Sequence, residues 1–315
     1  MEARAICRIS SSLSKLQVFI SNFKFTTKAK STVISNDQVA TYRREGFLVV
    51  EGVFVDSEIA ALRSAVAEVS ADDKRETFDR FLDAEWLEGR DKSYLRRTTN
   101  PAAAHKYFDR ALRDPRVIRI ASKFLGPNIR RLKGKINLKS AHVGPAVEWH
   151  QDWAFFPHTN DSILTLSIFI DDITEDNGPI FVIPGSHTGP VYDHHQDGRF
   201  VGVISPDTIR QHNGPLVPIT GAAGAVSVHH VRIVHGSPAN RSGLDRRMLV
   251  CPMVTADAWP LAGYQSPLEN MYGEIIAGRH SYTPRMEQIQ IRMPYPAVDG
   301  SLFEQQKSAR SRYFD

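Results

Sequence analysis

Between residues 129 and 254 apolar and polar positions alternate in short runs broken by turn signals, which predicts a series of strands. Residues 162–172 alternate polar with apolar side chains and are rich in β-branched and aromatic types, so they read as a strand. Asn177-Gly178 marks a turn, and residues 180–183 form a further short strand closed by Pro184-Gly185. Residues 226–237 read as one strand with His235 at its end. The Pro238, Asn240, Ser242 and Gly243 that follow are loop chemistry, so the chain is expected to return through residues 246–251 as the neighbouring strand. Many short strands with turns at close intervals describe a mainly β, jelly-roll core.

Upstream the period changes. Residues 37–44 read as a short helix and 46–50 as a strand. Asp56 or Ser57 caps a helix running to about residue 70, with Glu58 in its first turn. Residues 101–112 and 115–125 read as two more helices, bounded by Asp114-Pro115 and Gly126-Pro127. Residues 72–99 are charged and irregular and are expected to lie over a cavity. The chain thus divides into a leader (1–36), a domain over 37–256 with a helical part (37–128) and a barrel (129–256), and an extension (257–315) packing on the barrel.

Composition adds limits. No apolar run is long enough to span a membrane. Cys7 and Cys251 offer no disulfide framework and fit a reducing compartment. The net charge of +4 comes from the leader, where Arg4, Arg8, Lys15, Lys24, Lys28 and Lys30 face one acid, Glu2. The remainder is near neutral, which argues against a nucleic-acid footprint. The basic pairs Arg96-Arg97 and Arg130-Arg131 are expected to be solvated. In the leader, Ile6, Ile9, Leu13, Leu16 and Ile20 fall on one side of a helix, with Arg4, Arg8 and Lys15 opposite. That pattern predicts a mitochondrial transit peptide, with a disordered or surface-associating tail as the alternative. No S-K-L signal ends the chain.

The chemistry concentrates at His150-Gln151-Asp152, then His235, then Arg246. Residues two apart on a strand share a face, so His150 and Asp152 project together. With His235 they make a 2-His-1-carboxylate set, which holds Fe(II) on one side and leaves three positions open. Trp149, Trp153 and Phe155 are expected to wall the ligands from water. Arg246 sits across from His235 in the expected hairpin, where its guanidinium can take the distal carboxylate of a dicarboxylic cosubstrate, and Ser237 can add a hydrogen bond. Arg247 competes for that role but points to the opposite face. His229 shares the face of His235 and His230 does not. Both read as packed or hydrogen-bonded side chains, as does His187, while His194 and His195 lie in a loop near the cavity mouth.

The segments HQDWAFFP, DDITEDNGPIFVIPGSH and HGSPANRSGLDRR resemble the phytanoyl-CoA dioxygenase family of Fe(II)/2-oxoglutarate oxygenases, and weaker similarity covers most of residues 36–256. The resemblance implies a double-stranded β-helix. It makes His150, Asp152 and His235 the iron ligands, Arg246 the partner of 2-oxoglutarate with Ser237 assisting, and Lys139 a basic residue near the cosubstrate. It implies oxidation of a small-molecule substrate, an acyl-CoA or another metabolite, by O2, with release of succinate and CO2. Halogenating relatives replace the carboxylate ligand with a small residue. Asp152 is present here, so hydroxylation is favoured. A metal-dependent hydrolase or isomerase and a non-catalytic binding protein stand as alternatives.

Overall fold

The computed structural model describes residues 34–71, 81–82, 95–142, 144–261, 274–293 and 302–314. Nearly all of the expected leader lies outside the described residues. Within its span Ile34 is buried in the main core, and Ser35 caps the first helix, α1 (Asn36–Glu45). The Ser35 hydroxyl accepts the Gln38 amide at 3.1 Å while the Gln38 side chain accepts the Ser35 amide at 2.9 Å, a reciprocal capping box. Gly46 ends α1 at φ 83°, and any side chain there would strike the His187 ring.

The helical part continues through β1 (Phe47–Val50), α2 (Asp56–Ala71), β2 (Phe81–Leu82), β3 (Leu95–Thr99), α3 (Pro101–Ala104), α4 (Lys106–Leu112) and α5 (Pro115–Leu125). α2 buries Ile59, Leu62, Ala65, Val66 and Val69, the stripe of an amphipathic helix. Two expectations change. Residues 95–99, read as irregular, are a strand hydrogen-bonded to the sheet. The single helix expected over 101–112 is broken at His105, which is extended (φ −149°, ψ 133°) and whose ring accepts the Tyr107 amide, starting a new helix.

The barrel strands are β4 (Ile129–Arg131), β5 (Lys135–Lys139), β6 (Val147–His150), β7 (Ile163–Phe169), β8 (Ile180–Val182), β9 (His195–Gln196), β10 (Arg199–Phe200), β11 (Val217–Ile219), β12 (Val226–His230), β13 (His235–Ser237), β14 (Arg246–Thr255) and β15 (Glu274–Ala277). A short helix, α6 (Pro206–Arg210), precedes β11, and α7 (Leu302–Lys307) lies near the C-terminus. The larger antiparallel sheet runs β1-β12-β7-β14-β5-β3-β2, with β4 also on β14 and β15 on β4; the smaller runs β11-β8-β13-β6. This is a jelly roll. Leu164, Leu166, Ile168, Val226, Val228, Leu249 and Met253 face the helices and form the main core with them. Phe169, Met248 and Val250 of the large sheet meet Val182 and Ile219 of the small one between the layers.

β7 is buried at every position. Its polar residues Thr165 and Ser167, like Ser227 and His229 on β12, therefore face the barrel interior rather than water. Arg130, expected to be solvated, is buried and donates to the Ala258 carbonyl. Among the described residues no helix is long and apolar enough to cross a membrane.

Candidate active site

The expected strand over 226–237 is two strands in two sheets. β12 ends at His230, the chain turns with the Ile233 amide on the His230 carbonyl, and β13 enters the smaller sheet. His235 and Arg246 are accordingly not on neighbouring strands. β13 pairs with β6 and β8, whereas β14 pairs with β4, β5 and β7, so the two residues face one cavity from different sheets. Asp152 is not on a strand either. β6 stops at His150, paired with His235, and Asp152 opens a 3-10 turn that brings its carboxylate back toward both imidazoles.

The ligand atoms of His150, Asp152 and His235 all lie within 4.8 Å of one another. Asp152 Oδ1 is 3.8 Å from His150 Nε2 and 3.9 Å from His235 Nε2. Each imidazole turns its other nitrogen to a backbone carbonyl, His150 Nδ1 to Glu148 at 2.7 Å and His235 Nδ1 to Ile233 at 3.0 Å. An Nδ1–H donated there leaves the Nε2 lone pair for a metal. Burial pushes the His150 imidazole well below its ordinary range and lowers His235 to about 4. Burial alone would raise Asp152, but the imidazoles of His229, His235 and His150 hold it well below the usual carboxylate range. Neutral imidazoles and an ionised carboxylate are the protonation states that a divalent iron requires, so the donor set fits Fe(II).

Sequence reading missed the groups that hold these ligands. The Thr165 hydroxyl donates to Asp152 Oδ2 at 2.7 Å, leaving Oδ1 to face the imidazoles. Gln151, buried between the two ligands, donates its side-chain amide to Pro190 and Arg232 and accepts from Tyr192. His194 is structural, accepting the Gln151 amide at 2.9 Å. His230 accepts the Arg232 amide and packs beside His187. His229 approaches the outer oxygen of Asp152 at 3.5 Å and lies outside the ligand triangle. The aromatic wall is also redistributed. Trp149 and Trp153 are buried in separate clusters behind the ligands, and Phe155 alone of the three meets His150, edge-on at 5.6 Å.

The cavity as a whole, about 690 Å³ including space open to solvent, is lined beyond the three ligands by Lys135, Asn137, Lys139, Ile180, Ser237, Arg246 and Leu302 among others. Arg246 and Lys139 are register partners on β14 and β5. Arg246 Nη2 donates to the Gly178 carbonyl at 2.8 Å, while its Nε and Nη1 are buried without a hydrogen-bond partner. Lys139 donates to the Ser237 hydroxyl at 2.6 Å and to the carbonyls of Ser237 and Pro238. The Ser237 hydroxyl donates in turn to Gly178. Burial lowers Arg246 to about 10, and burial together with Arg246 drives Lys139 well down. Arg247 is on the other face, clamped by Asp171 through 2.7 and 2.8 Å bonds. A buried guanidinium whose Nε and Nη1 lack partners, lining the same cavity as the metal ligands, is a fit for a carboxylate.

The model of the family described as phytanoyl-CoA dioxygenase matches residues 42–248. The chain belongs to this family. A probable alpha-ketoglutarate-dependent hypophosphite dioxygenase of Stutzerimonas stutzeri is 36% identical over 300 residues, covering 88% of this chain and 99% of that protein. An ectoine dioxygenase of Bordetella bronchiseptica is 26% identical over 282 residues, 84% of this chain and 85% of that protein. Among solved structures, EctD from S. alaskensis with bound Fe aligns with a TM-score of 0.65 at 23% identity, covering 83% of this chain and 91% of that one, which shows the shared fold. As a member of the family, this chain is an Fe(II)/2-oxoglutarate-dependent dioxygenase.

Proposed function

We propose that this dioxygenase hydroxylates a small organic substrate, with release of succinate and CO2. The observation that carries the reading is one cavity with a 2-His-1-carboxylate face at one end and a buried, incompletely paired guanidinium at the other. Bound iron and 2-oxoglutarate would supply the oxidising chemistry. The chain's own residues do the rest. His150 and His235 present Nε2, and Asp152 presents one oxygen because Thr165 occupies the other. Arg246 takes the distal carboxylate of the cosubstrate, and Lys139 holds Ser237 beside it.

Lys135 and Asn137 also line the cavity, which supports a small polar substrate. The test is succinate formation by purified protein with Fe(II), O2 and 2-oxoglutarate over a panel of small metabolites, read by mass spectrometry. A panel member that gains one oxygen atom in step with succinate supports the reading. Substrate turnover indifferent to 2-oxoglutarate would sink it in favour of a metal-dependent hydrolase or isomerase. On its sequence pattern, we also propose that the leader read over residues 1–36 carries a mitochondrial targeting segment, bounded on its C-terminal side by the folded Ile34, Ser35 and Asn36. A fusion of that segment to a fluorescent protein that stays in the cytosol would overturn this.

A further inference from the structure

We infer that the C-terminal segment is a working part of the metal site, with Gln306 a positioning residue for His150 acting through the Glu148 peptide. The inference rests on the iron reading above. β6, which ends in His150, is an edge strand whose neighbour in the smaller sheet is β13. Among the described residues no strand pairs with the outer edge of β6, and a buried backbone N–H there needs an acceptor. Gln306, itself buried, fills that place. Its Oε1 accepts the Glu148 amide at 3.0 Å, and its Nε2 donates to the Glu148 carbonyl at 3.3 Å and to the Gly202 carbonyl at 3.0 Å.

The Glu148 carbonyl is also the acceptor for His150 Nδ1, at 2.7 Å. One oxygen therefore receives both the iron ligand and Gln306, and the side-chain amide fixes the plane of the peptide that aims the imidazole. The tail tightens the same two residues. The buried Glu148 carboxylate accepts the Tyr313 amide at 2.7 Å and the Phe314 amide at 3.4 Å. The Phe314 ring stacks on Trp149 at 5.8 Å and 17°, and Tyr313 meets it edge-on. Leu302, at the start of α7, lines the cavity itself. Residues immediately before the ligand are thus held from outside the sheet by a segment more than 150 positions later.

The decisive experiment is anaerobic Fe(II) titration of the full-length protein with 2-oxoglutarate present, followed by the visible charge-transfer band, beside the melting temperature of the metal-free protein. Gln306→Met keeps the length and removes all three hydrogen bonds. It is expected to weaken Fe(II) binding about 10-fold, the lower end of the range for outer partners of metal ligands. Val203→Ala, in the nearby cluster with Ala309, is the packing control and is expected to lower the melting temperature without moving Fe(II) affinity. If Gln306→Met does not accumulate folded, Phe314→Ala is read in its place with the same expectation of weaker iron binding. Unchanged iron affinity in the variant read, or an equal loss in Val203→Ala at matched melting temperature, overturns the positioning role. Wild-type protein that binds no Fe(II) overturns the iron reading and the inference with it.

Discussion

Replacing Arg246 with methionine separates its structural cost from its cosubstrate role. Arg246 is 2% exposed and makes one hydrogen bond, to Gly178, while Nε and Nη1 have none. A hydrogen bond to a charged group contributes about 1.5–3 kcal/mol. Two such bonds to a carboxylate amount to roughly 3–6 kcal/mol. The lower figure corresponds to about a 100-fold loss of 2-oxoglutarate affinity, which is the loss expected. In the ligand-free fold the sign differs. Methionine removes a buried cation with unpaired donors, and Gly178 keeps the Ser237 hydroxyl as a donor. The metal-free melting temperature should therefore hold or rise. Calorimetric titration of 2-oxoglutarate into anaerobic Fe(II)-loaded protein, with thermal melts alongside, reads both quantities. An affinity within threefold of wild type would refute the carboxylate assignment. A weaker affinity accompanied by a collapsed melting temperature would show that Arg246 acts through the fold.

Thr165→Val removes the 2.7 Å bond to Asp152 without changing shape, so Fe(II) affinity should fall about 10-fold or more in the same titration. An unchanged affinity would show that the carboxylate is held without it. Gly178 sits at φ +76°, with Lys139 Cδ and the Pro238 oxygen each 2.8 Å from where a Cβ would stand. Gly178→Ala should cost about 1–3 kcal/mol, lower the melting temperature by several degrees and weaken 2-oxoglutarate binding together. His158, His194, His230 and His235 are all lowered to about 4, chiefly by burial. Between about 6.5 and that value the unfolded chain binds protons that the fold refuses, so metal-free stability should fall as pH drops through this window. Melts that hold constant from pH 7 to pH 5 would contradict the burial of neutral imidazoles.

The strand-rich barrel, the helices before it and the grouping of His150, Asp152 and His235 were legible because periodicity and residue chemistry are local signals. The errors share a cause. Residues 226–237 look like one strand because local pattern does not register a change of sheet, and the turn at 231–234 is apolar and buried apart from the half-buried Arg232. The same blindness placed Arg246 beside His235, where the fold instead sets them across the barrel. Thr165 and Ser167 alternate with leucines as an exposed strand face would, yet they line the interior. Alternation reports two unlike faces, and the sequence alone does not say which is wet. Gln306 has no local signal at all, since its meaning depends on a backbone edge 158 positions away.

The opposed Arg246 and Lys139 make the far end of the barrel electrostatically uncomfortable when no anion is present. A ligand that binds only the folded form adds RT ln(1 + [L]/Kd), about 2.7 kcal/mol at a hundredfold excess over Kd. The cosubstrate is then also a folding ligand. Starved of it, the protein spends more of its time open to proteolysis, so its abundance would follow the supply of the molecule it consumes.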